Sequence, residues 1–260
     1  MILWVCALAL EAQAVAKYFN LKLQAQKPWS HWQGENMALV QSGVGESAAA
    51  AATSFLLSQY PTTQYIVNYG LAASPDLIQD ELYLVRAIQS PQGRRFYPDL
   101  WQNYEKKADL KTFLSVQTNL ELGLTDMEAS GFYLASSHYL GPQQISVWKV
   151  VSDRGEGKID LSHYQNVLYS ALAVVAKYLP PDLGEKIDRP WQKAMDYCLN
   201  QQSFSVTQTR SLLELWHILW VQKGESAFWE WQKHWQWDKT PSKLQAKRLL
   251  NSLEEIMSKL

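Results

Sequence analysis

The sequence predicts an α/β protein, layered around a mostly parallel sheet and followed by an all-helical C-terminal extension. Through residues 1–180, short apolar runs typical of strands alternate with patterns typical of helices, which favours a layered α/β domain. From residue 184 to residue 260 no strand pattern is visible, and this tail holds seven of the twelve tryptophans. These two ranges are the predicted domains.

Each element of the first domain follows from its local pattern. Six apolar runs predict strands: "ILWVCALAL", "MALVQSG", "YIVNYGLA", "ELYLVRAIQ", "FLSVQ" and "ISVWKVVSD". Four stretches between them predict helices: "EAQAVAKYFN", the alanine-rich "GESAAAAATSFLLSQY", "MEASGFYLASSHYL" and "DLSHYQNVLYSALAVVAKYL". The last of these helices begins at Asp160, a residue type favoured as an N-cap.

Composition excludes several classes of function. The net charge is −1 and the pI is about 6.5, so a basic surface for nucleic acid is not expected. The opening "MILWVCALAL" lacks the basic segment of a signal peptide, and no apolar run reaches membrane-spanning length. Cys6 and Cys198 have no metal-ligand spacing. We therefore expect a cytoplasmic protein with no metal, no cofactor and no membrane partner.

The stretch "SGVGESA" follows a predicted strand and opens a predicted helix. Its glycines, Gly43 and Gly45, match a loose form of the dinucleotide-binding fingerprint. The next strand, however, carries Asn68 where an acid would hold a ribose of the dinucleotide. The other interpretation is a tight turn that glycine permits, whose backbone N–H groups could meet a polar ligand.

Two acids stand where predicted strands end, which is where ligands collect in α/β proteins. Glu11 lies between the first strand and the first helix, and it is either a general base or an acid that stabilises the helix N-terminus. Asp153 ends the last strand in "VVSDRGEG", and it is either a catalytic acid or the start of an Asx-turn. The sequence alone leaves both alternatives open.

Several of these segments together resemble the purine nucleoside phosphorylase/uridine phosphorylase superfamily. The matching pieces are "ALALEAQAV", "SGVGESAAAAAT", "YIVNYGLAAS", "ELYLVRAIQSPQGRRFYPD", "TDMEASGFYLAS" and "WKVVSDRGEG". The resemblance is strongest to the branch that includes methylthioadenosine/S-adenosylhomocysteine nucleosidase. It covers about residues 1–178 and implies a three-layer α/β/α nucleoside phosphorylase-like domain with a central mixed sheet. It also implies a small-molecule nucleoside substrate and a homo-oligomer, with a dimer favoured.

The resemblance also implies roles for particular residues. Asp153 would protonate or hydrogen-bond N7 of a purine base, and Ser152 would orient that acid. Glu128 would accept hydrogen bonds from the ribose hydroxyls, with Met127 packing on the sugar. Glu11 would position and deprotonate the attacking water. The backbone of Leu71, Ala72 and Ala73 would line the pocket near base and ribose, and the Gly43 turn would contribute to substrate binding.

The nucleophile distinguishes hydrolysis from phosphorolysis. Phosphorylases of the superfamily typically carry Arg-x-Gly-Ser where this chain has Asn68-Tyr69-Gly70-Leu71, and no arginine precedes Arg86. Because a phosphate site usually needs arginine, water is favoured. A phosphorylase and a non-catalytic nucleoside-binding or interaction module remain as alternatives.

Three further expectations concern packing and recognition. Asp126 is expected to serve the start of the third helix, and Ala129, Ser130 and Gly131 to let that helix approach the sheet closely. Tyr104 and Phe113 are the aromatic residues available near the place where a base-stacking ring is expected. The tail tryptophans, Trp229 and Trp231 among them, are expected to form a packed core, an interface or a wall of the active-site cleft.

Overall fold

The computed structural model describes residues 1–98, 103–117, 120–155 and 160–180, together with the isolated positions 208, 212 and 251. The chain divides into two compact units, Met1–Leu183 and Gly184–Leu260. Apart from those three positions, the predicted helical extension and its tryptophans lie outside the described residues, so their interpretation stays a prediction. No helix within the described part is both long enough and apolar enough to span a membrane.

The first unit alternates strands and helices along the chain. Its strands are β1 Ile2–Cys6, β2 Lys22–Ala25, β3 His31–Gln33, β4 Met37–Gln41, β5 Tyr65–Ala73, β6 Leu82–Gln89, β7 Arg95–Phe96, β8 Lys107–Thr112, β9 Leu124–Asp126 and β10 Ile145–Asp153. Its helices are α1 Ala9–Tyr18, α2 Glu46–Gln59, α3 Ala129–Ser136 and α4 Leu161–Val175. The predicted N-cap of α4 is confirmed, since the Asp160 carboxylate accepts the N–H groups of Ser162 and His163.

The strands form one mixed sheet, as predicted. Its centre is parallel, in the order β4-β1-β5-β10. Strand β10 then pairs antiparallel with β6, and β6, β8 and β9 follow in parallel. Since β9 returns to β5 through the pair Thr125 and Ala73, the five strands β5, β10, β6, β8 and β9 close into a ring. The closure brings the ends of β5, β9 and β10 to one opening.

Helices cover both faces of this sheet, which confirms the three-layer prediction. Helices α2 and α3 cover one face, over a core that includes Val5, Leu56 and Phe132. Helices α1 and α4 cover the other face, over a core that includes Trp4 and Leu168. The strands that run between the two layers are buried on both faces, which is why they read as continuous apolar runs in the sequence.

The strand prediction for "FLSVQ" is wrong. Strand β8 is instead the preceding segment, Lys107–Thr112, in which buried residues alternate with more exposed ones. Its buried positions are Ala108, Leu110 and Thr112, so the segment has only one large apolar residue and does not resemble the apolar runs of the other strands. The chain leaves the sheet at Phe113 and passes residues 115–117 along the opening of the ring. The first predicted strand also ends earlier, at Cys6, because α1 already begins at Ala9.

Gly131 and Ser130 of α3 contact a neighbouring helix, which differs from the prediction that they lie against the sheet. A Cβ on Gly131 would collide with the backbone carbonyl oxygen of Glu46, the first residue of α2. Beside it, the Ser130 hydroxyl donates to a Glu46 carboxylate oxygen at 2.6 Å. Gly131 therefore permits close approach of α3 to the beginning of α2, a neighbouring helix in the same layer, rather than to the sheet.

Candidate active site

A cavity of about 230 Å³ lies at the carboxyl ends of the parallel strands, beside the opening of the strand ring. Eight of the nine residues that the sequence singled out line it: Glu11, Leu71, Ala72, Ala73, Met127, Glu128, Ser152 and Asp153. The ninth, Gly43, is not among the residues that line it. Its N–H instead donates to the carbonyl oxygen of Ala7, which does line the cavity.

Glu11 is buried at the start of α1, where its carboxylate accepts three backbone N–H groups. One oxygen accepts from Ala7 and Leu8, at 2.9 and 2.8 Å, and the other accepts from Leu71 at 2.8 Å. Glu11 therefore stabilises the start of its helix, which is one of the two predicted interpretations. The same residue also lines the cavity. Burial raises the pKa of Glu11, although Lys149 and the three N–H groups partly oppose that rise.

The residue of β5 that faces the Glu11 carboxylate, Gly70, has no room for a side chain. A Cβ on Gly70 would lie 2.5 Å from one Glu11 carboxylate oxygen and 2.9 Å from the other. Glycine therefore lets β5 pass flat against the carboxylate, so that the next N–H, that of Leu71, reaches it. The Leu71 side chain is 8% exposed and lies in the core shared with α1 and α4.

Glu128 is the N-cap residue of α3 and is buried against the glycine turn. One of its carboxylate oxygens accepts the Gly45 N–H at 2.9 Å. Gly43 and Gly45 have φ angles of 81° and 110°, so the tight-turn interpretation of "SGVGES" is confirmed. Burial and the nearby Asp126 charge raise the pKa of Glu128 from 4.5 to about 7, even though Lys149 opposes the rise.

Beneath Glu128 lies an ion pair that the sequence did not predict. The Lys149 ammonium on β10 lies 2.9 Å from an Asp126 carboxylate oxygen, and the two side chains are 3% and 1% exposed. Asp126 also accepts the Thr112 hydroxyl at 2.9 Å and the Ala129 N–H at 3.0 Å. The last contact confirms that Asp126 serves the start of α3.

Lys149 is a buried cation surrounded by acids. Burial by itself lowers the pKa of Lys149, but the carboxylates of Asp126, Glu128 and Glu11 outweigh that effect and raise it. A charged lysine therefore lies among three carboxyl groups, so the cluster has an excess of negative charge when all are ionised. Such a site favours a developing positive charge and opposes the binding of an anion.

Asp153 follows a buried strand and is held by its immediate neighbours. Its two carboxyl oxygens accept the Gly155 N–H and the Ser152 hydroxyl, both at 2.7 Å. The bond from Gly155 forms the Asx-turn that was one of the two predicted interpretations of Asp153. Like Glu11, Asp153 thus has a local structural role and also lines the cavity. Ser152 is the neighbour that the resemblance singled out as orienting the acid.

The remaining wall of the cavity is different in character. Ser115, Val116, Gln117 and Leu120 form it, and Val116 is 72% exposed. Within the described residues no aromatic side chain lines the cavity. Tyr104 packs instead on Trp148 and Tyr178 in the core on the α1 and α4 side of the sheet.

Sequence reasoning missed Lys149 and the wall at residues 115–117. A signal for Lys149 existed, since a single lysine interrupts the apolar run "ISVWKVVSD" and a buried lysine needs an acid as partner. The wall carried no such signal, because "FLSVQ" has the pattern of a strand. Among the described residues there is no cluster of three or more His, Cys, Asp or Glu side chains arranged to hold a metal ion.

Comparison with solved structures finds the fold of this chain in several nucleosidases. The Arabidopsis thaliana 5′-methylthioadenosine nucleosidase superposes with a TM-score of 0.61 at 16% identity, over 71% of this chain and 98% of that one. The Neisseria meningitidis 5′-methylthioadenosine/S-adenosylhomocysteine nucleosidase, solved with methylthio-immucillin-A, gives 0.57 at 16% identity, over 68% and 99%. The Helicobacter pylori nucleosidase gives 0.59 at 12% identity, over 68% and 98%.

Comparisons of the sequence alone found no similar protein, in contrast to the comparison of structures. No protein-family model matches the chain, and no curated protein matches it. The structural matches cover nearly the whole of each nucleosidase chain, and the resemblance drawn from short motifs is confirmed at the level of fold. The α/β unit of this chain has the nucleoside phosphorylase fold, in the form seen in the methylthioadenosine/S-adenosylhomocysteine nucleosidases.

Proposed function

We propose that this protein hydrolyses the N-glycosidic bond of a purine-type nucleoside. One observation carries the proposal: Glu11, Glu128 and Asp153 come from distant parts of the sequence and line a single cavity at the carboxyl ends of the strands. The structural neighbours, whose names describe cleavage of methylthioadenosine and S-adenosylhomocysteine, support the same class of substrate. Assembly into a homo-oligomer, with a dimer favoured, remains a prediction.

The acids would divide the chemistry between the two products. Breaking the bond between ribose and base develops positive charge on the sugar and negative charge on the departing base. Asp153, held by Ser152 and Gly155, would donate a proton to the base, and general acid assistance of this kind contributes about 10²–10⁴-fold. Glu128 would accept hydrogen bonds from the ribose hydroxyls and, when ionised, stabilise the charge on the sugar.

Water is the favoured nucleophile because of the charges around Lys149. This cation is already paired with Asp126, and it lies near the carboxylates of Glu11 and Glu128. A phosphate ion entering this region would meet more negative than positive charge, so phosphorolysis is disfavoured. Glu11 would take a proton from the attacking water, for which the rise of its pKa by burial is suited, since it makes the carboxylate a stronger base.

A panel of nucleosides tests the proposal directly. The purified protein is incubated with purine and pyrimidine nucleosides, with and without phosphate, and the sugar product is identified. Free ribose in phosphate-free buffer is the expected result. Ribose-1-phosphate that appears only with phosphate would establish a phosphorylase, and ligand binding without turnover would establish a non-catalytic module. Either outcome overturns the proposal.

The acid itself is tested by Asp153→Asn. An asparagine oxygen can still accept the Gly155 N–H, so the turn is retained while the transferable proton is lost. We expect kcat to fall by about 10²–10⁴-fold. Asp109→Asn is the matched control, because Asp109 makes an exposed ion pair with Arg86 and does not line the cavity. Near-normal kcat in the Asp153 variant would refute its role.

A further inference from the structure

Strand β10 contains an irregularity directly before the acid Asp153. Val151 pairs with Ala72 of β5, and Asp153 pairs with the very next residue, Ala73. Ser152 is therefore an extra residue in β10, the arrangement of a β-bulge. Bulges bend a strand and redirect the side chains that follow, and they are frequent beside active sites.

The carbonyl oxygen of Ser152 is held by two side chains from outside the sheet. The Tyr164 hydroxyl donates to it at 2.5 Å, and the Gln79 side-chain amide donates to it at 3.2 Å. The same amide lies 3.0 Å from the Tyr164 hydroxyl, so the three groups form a closed triangle. Tyr164 is 2% exposed, and its donation keeps a buried carbonyl paired where the bulge interrupts the sheet.

The two side chains come from different elements. Tyr164 lies in the first turn of α4, which Asp160 caps, and Gln79 lies in the connection between β5 and β6. On its other side, the Ser152 hydroxyl contacts both the Asp153 carboxyl, at 2.7 Å, and the Ala72 carbonyl, at 3.2 Å. Movement of the Ser152 peptide would thus move the group that orients the acid.

We propose that Tyr164 and Gln79 are positioning residues for the acid Asp153, which they hold in place through the Ser152 carbonyl. This inference rests on the proposed function, since it presupposes that Asp153 donates the proton. Neither residue lines the cavity, so neither contacts the substrate there. They restrict the rotation of the Ser152 peptide, and this restriction keeps the Asp153 carboxyl aimed at the base.

The expected signature separates acid catalysis from general damage. A displacement of about 1 Å in a catalytic group costs up to about 10²-fold in rate. Tyr164→Phe retains the ring and removes the hydroxyl, and we expect it to lower kcat for a purine nucleoside by about 10-fold or more, with KM changed less than about 3-fold. A nitrophenyl riboside releases a stable phenolate without needing a proton, so its cleavage should be affected less than about 3-fold.

Tyr69→Phe is the matched control. The Tyr69 hydroxyl donates to the carbonyl oxygen of Leu168 at 2.6 Å, so this variant also removes a buried bond from a tyrosine to the backbone of the α4 region. Because Tyr69 has no contact with the Ser152 carbonyl, its loss should leave the ratio of the two substrates unchanged. Thermal unfolding of both variants gives the loss of stability against which the kinetics are compared.

Gln79→Met provides a second variant if Tyr164→Phe does not fold. Gln79 is an exposed residue, and methionine keeps its length without the donor. We expect a smaller change of the same kind, with kcat about 3-fold lower for the purine nucleoside alone. In the double variant the loss of transition-state stabilisation should be less than the sum of the two single losses.

The outcomes separate the two proposals. If the wild-type protein cleaves purine nucleosides but Tyr164→Phe retains full activity, matches Tyr69→Phe, or slows both substrates equally, the positioning inference is overturned alone. The inference is also overturned if kcat of Tyr164→Phe for the purine nucleoside equals that of the wild-type protein across the alkaline part of the pH profile. If the wild-type protein cleaves no nucleoside, the proposed function fails and this inference fails with it.

Discussion

The two sides of the cavity are built differently. On the side that would hold the sugar, Glu11, Glu128 and the Asp126–Lys149 pair are buried, and their carboxylates accept hydrogen bonds from backbone or side-chain donors. The wall formed by residues 115–117 and 120 belongs instead to a connection between strands, and its Val116 is 72% exposed.

This difference separates chemistry from recognition. Groups that stabilise charge must be fixed in advance, and fixation requires burial and complete hydrogen bonding. A wall of exposed side chains on a loop can change without disturbing the sheet, since loops tolerate variation more readily than the elements they connect. The buried acids belong to the segments that carry the resemblance in the sequence, whereas the wall at residues 115–117 lies in none of them.

The largest expected effect is on the sugar side, from Lys149→Met. This change leaves Asp126, Glu128 and Glu11 around a site that has lost its cation, and breaking a buried pair in this way costs about 3–5 kcal/mol. We expect the free energy of unfolding, measured by urea denaturation, to fall by that amount. Lys106→Met is the control, because its ion pair with Glu81 lies at the surface, where such pairs add little to stability.

Combining the substitution with Asp126→Asn sharpens this comparison. The second change removes one of the uncompensated charges, so part of the lost stability should return if the pair acts as a unit. Equal losses in Lys149→Met and Lys106→Met would show that the buried pair contributes no more than an exposed one. That result would remove the basis for treating the sugar side as fixed.

The next effect concerns the pH dependence of stability through Glu128. Its pKa of about 7 in the folded protein exceeds the ordinary 4.5, so the folded state binds this proton more tightly than the unfolded state does. The stabilisation that this protonation provides is therefore present at low pH and is lost as the pH rises from 4.5 to about 7. The difference corresponds to about 3 kcal/mol.

Glu128→Gln removes this titration. We expect the variant to be more stable than the wild-type protein at about pH 8, by up to about 3 kcal/mol, and the gap to shrink below about 1 kcal/mol at about pH 5. Denaturation of both proteins at the two pH values provides the measurement. Glu121→Gln is the control, since Glu121 pairs with Lys111 at the surface. A gap that does not change with pH contradicts the expectation, and loss of nucleoside turnover should accompany the gain in stability.

The features that could be predicted from the sequence are those with local signals in the chain. The acids at strand ends and the glycine turn were recognised because strand, turn and helix signals around them are local. Glu11 and Asp153 each satisfy neighbouring backbone groups, so their local patterns are visible in the chain itself. The three-layer fold follows from the same alternation of elements.

Other features depend on contacts between distant segments. The pairing of Lys149 with Asp126 requires that β10 and β9 lie on either side of β5 in the strand ring, and nothing in either segment specifies that closure. Strand β8 was missed because Leu110 is the only large apolar residue at its buried positions. The contact of Gly131 with the start of α2 was likewise assigned to the wrong neighbour, since a small residue indicates close packing without identifying the partner.

The smallest expected effect is on the base side, from Val116→Phe. An aromatic ring at this exposed position can stack on a purine, and such contacts contribute about 0.5–1.5 kcal/mol beyond the area they bury. We expect KM for a purine nucleoside to fall by about 2–10-fold, with kcat and the unfolding midpoint nearly unchanged. Leu23→Phe is the control, because Leu23 is 47% exposed on β2 and does not line the cavity. A rise in KM for Val116→Phe, or an equal fall in both variants, would show that residue 116 does not face the base, and the division of the cavity into a fixed side and an adaptable side would need another wall.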